Sequence, residues 1–398
     1  MIACQMTLLT TNQIHVLCCH GHYYNGSDAI IDYAYLTRYL AHYEDIQVLV
    51  RTRNVTDVDD ALPRLDGDGV TIVPLPDPKS LLKAIIGLPA MIRDIKNAAK
   101  ASQACYIKMP DVLGTLVGLT LWWLQRDYAV EVVADSYEGI RHAKKTMWGC
   151  RLYATLLDRL TRVIVSRALT VAYISRYLQS RYPHRKSDQQ FVFCSVDIAE
   201  KDRGQTRSID ELDVTPFQIV AAGRLSAEKG HVYLIRAMKK IVDSSESQVT
   251  LDLLGEGPER PALEAEVMAL GLENHVRLLG YVKRGDSLNY CLDKAQLYVL
   301  PSLTEGMGRG LIEAMARGVP CVATAVGGVP EYLDHDCLVE AADSSALADK
   351  ILQLRHEPET LVQWSKANIE ATRAFSPERL QGIKTQFWSA VKSQSLSL

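Results

Sequence analysis

Short apolar runs alternate along this chain with longer segments in which apolar residues recur every three or four positions, and the alternation is set out twice. Residues 14–18 read as an apolar strand that empties into a loop containing His20, His22 and Gly26. An amphipathic helix over 29–42 and a strand over 46–50 complete a strand-helix-strand unit. Further strands are expected at 70–73, 104–108, 131–134, 169–174 and 190–193. Residues 81–99 have helical spacing, with Gly87 and Pro89 placing a bend or break near the start. The polar stretch 197–215 reads as an inter-domain linker. A second set of strands follows at 218–222, 249–254, 276–279, 297–300, 320–324 and 337–339. Helices at 231–242, 260–270, 287–294, 308–317 and 345–354 fit between them. This α/β alternation specifies two parallel sheets, each covered by helices. The expected units are a first domain over 1–197 and a second over 198–376, with a C-terminal helix over 377–398 returning to the first domain.

Two such sheets in one chain leave a cleft between them, with ligands expected outside the carboxyl ends of the strands. The 398 residues suffice for two cores, and 47 % hydrophobic with 23 % charged residues is ordinary for a folded protein. The net charge of -3 is uneven: residues 1–190 carry 22 Lys/Arg against 18 Asp/Glu, and the remainder 22 against 29. Within the first half, residues 138–190 hold 11 basic and 3 acidic residues. Interleaved apolar residues, Trp148, Leu152, Tyr153, Leu156, Leu157 and Leu160 among them, suggest an amphipathic helix. Such a face suits anionic lipid or a diphosphate-linked acceptor, or it is domain core with solvated cations. No aromatic-basic motif points to nucleic acid. Nine scattered cysteines without a C-x-x-C pair fit a reducing compartment. No secretion signal is legible, and the longest apolar run, 112–124, falls short of the roughly 20 residues a membrane span needs. A cytoplasmic location is therefore expected, with peripheral contact at the cytoplasmic face of a membrane left open. Oligomeric state is not legible.

The chemistry concentrates in the second half. The strand at 297–300 runs into a loop with Gly306, Gly308 and Gly310 and then into a helix, with Glu305 and Glu313 flanking the turn. A glycine-rich strand-to-helix junction presents backbone N–H groups where anions bind. Carboxylates beside it accept hydrogen bonds from the hydroxyls of a polyhydroxylated ligand. Phosphate plus hydroxyls suggests a nucleotide-sugar. After the first strand of this half come Gly223, Arg224 and Lys229, the two cations five positions apart. They neutralise a diphosphate or are solvated loop charges. Gly255, Glu256, Gly257 and Pro258 form another strand-to-helix turn, while Gly280, Tyr281 and Val282 border a nucleobase or make an ordinary turn. The G-x-G-x-x-G fingerprint is absent after the first strand, which argues against a nicotinamide-dependent dehydrogenase. Gly26 there either admits a diphosphate or acceptor to the backbone, or makes a tight turn. Glu305 and Glu313 need not be a glycosidase acid-base pair, because the phosphate-binding surroundings favour transfer over hydrolysis.

Gly223-Arg224 with Lys229-Gly230, Gly255-Glu256-Gly257-Pro258, Glu305-Gly306-Met307-Gly308, Glu313-Ala314-Met315-Ala316, Gly318-Val319-Pro320 and Gly327-Gly328-Val329-Pro330-Glu331 occur in order. In these the chain resembles the retaining glycosyltransferases of family four. The match covers almost the whole second domain; the first resembles the family only in topology and Gly26. The resemblance implies the GT-B architecture, two facing Rossmann-like domains with a nucleotide-sugar cleft between them. It implies that Arg224 and Lys229 hold the donor diphosphate, Glu313 the ribose and Glu305 the transferred sugar. Backbone groups around Gly306, Met307, Gly308, Gly310 and Leu311 assist. No cofactor and no metal is implied; the donor is a UDP-sugar or GDP-sugar, and the acceptor a glycan, lipid-linked or small molecule. Many relatives place a histidine after a first-domain strand near the transferred sugar, where this chain offers Asp135. That aspartate binds a sugar hydroxyl or a cationic acceptor, or caps the following helix. A glucan synthase and a catalytically silent nucleotide-sugar-binding partner are the competing readings.

Overall fold

The computed structural model describes residues 5–9, 13–17, 23–24, 27–28, 33–40, 42–52, 67–76, 81–102, 104–143, 148–194, 196–244 and 248–395. The first sheet holds β1 (Gln5–Leu9), β2 (Gln13–Leu17), β5 (Asp45–Thr52), β6 (Val70–Pro76), β7 (Ala104–Met109), β8 (Ala129–Val132), β9 (Thr170–Tyr173) and β10 (Gln190–Val192). A small antiparallel pair, β3 (Tyr23–Tyr24) and β4 (Ser27–Asp28), stands apart from it. The strand order is β10-β9-β8-β7-β1-β2-β5-β6, and β1 alone runs antiparallel to its neighbours. Every residue of β7, β8 and β9 is buried, as expected of strands sandwiched between helices.

The second sheet is parallel throughout: β11 (Phe217–Ala222), β12 (Val249–Leu254), β13 (Val276–Gly280), β14 (Leu297–Leu300), β15 (Cys321–Thr324) and β16 (Leu338–Val339). Its order is β13-β12-β11-β14-β15-β16, so the chain reverses direction across the sheet between β11 and β14. A parallel sheet opens its ligand crevice at such a switch point. Two helices absent from the sequence reading, Val112–Trp123 and Pro358–Thr372, complete the covering layers.

The structure departs from or adds to the sequence reading at three points. Gly87 and Pro89 do not break their helix, which runs without interruption over Leu81–Ala101. Pro89 lies exposed, so water can take the carbonyl that the missing N–H leaves free. The stretch 197–215, which joins the two sheets, is held by hydrogen bonds: Gly204 N–H donates to the Ala316 carbonyl at 2.9 Å, and Arg207 N–H to Ser365 Oγ at 2.9 Å. It therefore lies against the second domain. The antiparallel β1 was not anticipated at all.

The helix Pro377–Ser395 lies on the first sheet. Trp388 meets Tyr39 edge-on at 5.6 Å, and Phe387 packs within 5.5 Å of Phe193. Both anchors are almost fully buried, worth about 3 kcal/mol apiece in removed apolar surface. Lys384 Nζ adds a 2.6 Å contact to Asp197 at the domain junction.

Candidate functional site

Four loops leave the carboxyl ends of β11, β12, β14 and β15 and pack on one another through backbone. The β11 loop closes with Gly230, whose φ of 65° is left-handed. A β-carbon there would stand 2.1 Å from the Pro301 carbonyl oxygen, so only glycine lets the β11 and β14 loops touch. Leu303 N–H donates to the Glu228 carbonyl at 2.8 Å across the same seam. On the other side, Leu225 N–H donates to the Glu256 carbonyl at 2.9 Å, and Gly257 nests against the Leu225 backbone.

This packing brings the two charged sets together. Lys229 Nζ donates to Glu305 Oε1 at 2.7 Å, and Ser302 Oγ donates to the same oxygen at 2.7 Å. Glu305 is 8 % exposed. An ammonium has three donors, so Lys229 keeps two for a second anion. Arg224 is exposed at the mouth of the same loop, beside Gly223. Just beneath, at the first position of the helix His231–Asp243, lies His231, which sequence reasoning passed over as one more helical residue. It is buried, and neither ring nitrogen has a hydrogen-bond partner among the described residues. Burial first, and then nearby Lys229, pushes its pKa down to about 4. His231 is therefore a neutral imidazole under the cationic loop at neutral pH.

The helix Arg309–Ala316 opens at Gly308, again left-handed with φ 84°. Met307 and Leu311 are core residues, at 4 % and 0 % exposure, so only their backbone can serve a ligand. Gly310 sits against the Tyr298 hydroxyl, where a side chain would collide. Glu313 lies one turn inside the helix, and Arg284 Nη2 reaches its Oε1 at 3.0 Å. Burial raises the Glu313 carboxyl above its ordinary pKa, with Arg284 opposing the shift. Arg284 belongs to the loop after β13 that also carries Tyr281 and Val282, so that loop borders Glu313. Tyr281 is 70 % exposed, while Val282 packs on the core. Arg284 was not singled out from the sequence, since nothing in its neighbours distinguishes it from a solvated cation.

The first domain closes over these loops. A methyl group on Gly306 would stand 2.4 Å from the Val133 carbonyl oxygen, so the β14 loop touches the segment after β8. Glu331 accepts the N–H groups of Arg176 at 2.9 Å and Tyr177 at 2.6 Å, capping a first-domain helix from the second domain. Asp135 is 3 % exposed. It accepts the Tyr137 and Glu138 N–H groups at 2.9 and 3.2 Å, the Tyr177 hydroxyl at 2.8 Å and Arg181 Nε at 2.8 Å. These contacts are those of the helix-capping alternative, and they leave its oxygens inside the first domain. Gly26, His20 and His22 lie outside the described residues.

Residues 202–371 match the model of a family described as glycosyl transferases group 1. That match spans 170 of the 398 residues, and the chain has the GT-B fold, with two Rossmann-like domains. It is similar to protein CapJ of Staphylococcus aureus, 24 % identical over 339 residues and 83 % of each chain. Further relatives at 30 to 39 % identity align over only 30 to 46 % of their own lengths. Among solved structures, sucrose-phosphate synthase from Thermosynechococcus elongatus superposes with TM-score 0.68 at 21 % identity, covering 90 % of this chain and 91 % of that one. HepE of Anabaena, in complex with UDP-glucose, superposes with TM-score 0.60 at 20 % identity over 80 % of this chain and 86 % of its own. At these identities the superpositions speak to fold.

Proposed function

We propose that the protein transfers a hexosyl group from a nucleotide-diphosphate sugar to a hydroxyl of a glycan, glycolipid or small-molecule acceptor, with retention of anomeric configuration. The observation that carries this reading is the direct Lys229–Glu305 contact, which makes one site of a cationic loop and an acidic one. In this reading Arg224 and the free donors of Lys229 hold the diphosphate and stabilise charge on it as the sugar leaves. Glu313 accepts the ribose hydroxyls, with Arg284 fixing its second oxygen, and Glu305 accepts a hydroxyl of the transferred sugar. Backbone N–H groups at the glycine-rich opening of the helix Arg309–Ala316 complete the anion site. The departing diphosphate takes the acceptor proton on the same face, so no protein base is assigned. Asp135 is assigned to holding the loop after β8 rather than to the sugar. Charge on the leaving group is met by Arg224 and Lys229, and no metal is assigned. The HepE complex favours a uridine donor, and GDP-sugars are the alternative.

The test is a screen of labelled UDP- and GDP-sugars against extracted lipids and small glycans, with mass detection of product and with and without chelator. Arg224→Ala and Glu313→Ala should cut kcat/KM at least about 100-fold while the unfolding midpoint moves little, as loss of a charge-stabilising group does. Unchanged turnover and donor affinity in both variants would reject the assignments. Donor binding without transfer to any acceptor would favour the silent binding partner.

A further inference from the structure

Three helices lie side by side on one face of the first sheet: Leu81–Ala101, Val112–Trp123 and Trp148–Arg167. Their outward surface is unusually apolar. Ile85, Ile86, Trp122, Trp123, Leu152 and Leu156 are 46 to 75 % exposed. On the last helix Leu152, Leu156, Arg159, Val163 and Arg167 recur at three- and four-residue spacing along the exposed side, whereas Ala154, Leu157, Thr161 and Ile164 face inward. Leu157, for which the sequence offered either an interfacial face or domain core, is core. Cations tie the stripe together: Arg167 stacks 4.1 Å over Trp122, and Lys96 lies 5.4 Å over Trp123. The first and third helices carry four Lys/Arg against one Asp/Glu each, and the middle one carries no charge. The two acids are already matched, Asp94 by Arg93 at 3.1 Å and Asp158 by Arg181 at 2.7 Å.

We propose that this three-helix face docks on an anionic lipid bilayer. Exposed Trp, Ile and Leu interleaved with an excess of Lys and Arg over Asp and Glu are what an interfacial surface presents to headgroups and acyl chains. A second copy of the chain is a poorer occupant, because a two-fold contact would set the same cations against themselves. The geometry also gives docking a use. The first two helices begin just past the carboxyl ends of β6 and β7, the third follows the short helix Ser136–Ala143 after β8, and the segment after β8 touches Gly306 of the donor-side loop. The bilayer would therefore border the mouth of the cleft. An acceptor carried on a lipid would reach the site without leaving the membrane; this clause alone rests on the proposed transferase reading.

The experiment is co-sedimentation of the full chain with phosphatidylcholine vesicles and with vesicles containing one quarter phosphatidylglycerol, at low and high salt. The chain should pellet with the anionic vesicles and weaken at least tenfold in high salt. Leu152→Ser with Leu156→Ser, and separately Arg151→Glu with Arg159→Glu, should each reduce binding tenfold or more with the unfolding midpoint unchanged. Ile85→Ser with Ile86→Ser, on a different helix, should do the same. No binding to anionic vesicles, or equal binding by all variants, would overturn the proposal. So would a micromolar dimer in light scattering that the Leu152 and Leu156 substitutions dissolve, which would assign the face to a second copy. No sugar donor enters the assay, so its failure is separable from failure of the transferase reading.

Discussion

Replacing Lys229 by Met tests whether the two charged loops act as one unit. At 2.7 Å and an effective dielectric of about 20, the gross attraction between Lys229 and Glu305 is about 6 kcal/mol. Desolvation of Glu305, whose side chain is 8 % exposed, cancels most of it. Removing one partner of a fully buried pair costs about 3 to 5 kcal/mol because the other charge is stranded. Lys229 is 26 % exposed and Ser302 still donates to Glu305, so the expected loss is about 2 kcal/mol. Glu305→Gln keeps the Ser302 bond and strands only an ammonium that is still in partial contact with water, so it should cost about 1 kcal/mol. In the double variant nothing is stranded, and stability should exceed the additive expectation by about 1 to 2 kcal/mol. Urea unfolding of wild type, both single variants and the double variant measures this, provided the m-values agree. Additivity within about 0.3 kcal/mol would show the pair to be energetically idle and refute the reasoning. All three variants should lose sugar transfer even where the double variant regains stability.

Three further outcomes follow from the geometry. Gly306→Ala forces the β14 loop away from Val133, which should cost about 1 to 3 kcal/mol of inter-domain packing and widen the chain in small-angle scattering; an unchanged scattering profile with full activity would contradict the contact. Glu313 has a folded pKa raised by burial, so its ionisation costs stability as pH rises above the unfolded value near about 4.3; Glu313→Gln should gain on wild type between pH 4 and pH 7 while losing donor affinity, as paired denaturation and calorimetry would show. His231 has its pKa depressed to about 4, so the stability it contributes is present above pH 6.5 and lost as pH falls toward 4. At about 1.36 kcal/mol per pH unit that loss reaches up to about 3 kcal/mol, and His231→Leu should abolish the slope.

The second domain was legible because its strands are buried on both faces and read as unbroken apolar runs; the limits expected for β12 and β14 match the observed ones. The helix Val112–Trp123 was not, because two helices and the sheet cover three of its sides and its outward side is apolar as well. Being apolar on nearly every side, it has no polar stripe from which to read a helical period. Pro89 misled because a local rule about prolines says nothing of which side of a helix meets water. Within the site, Glu305 and Lys229 carried local signals in glycine-rich turns, but their contact depends on two loops 76 residues apart packing through Gly230. Arg284 and His231 lie just past the motifs that carry the local signal, and only the folded chain puts them beside Glu313 and beneath the cationic loop.

Glu331 follows two glycines in what reads as a donor-side turn, yet its carboxylate spends both oxygens on backbone amides of the opposite lobe. A cap of this kind is worth about 1 kcal/mol, or roughly a fivefold change in the ratio of shut to open clefts. Substituting it would weaken every ligand that needs the shut cleft by a shared factor, without removing any group that touches one. Kinetics on such a variant would mimic the loss of a binding residue, and only a measure of lobe separation would tell the two apart.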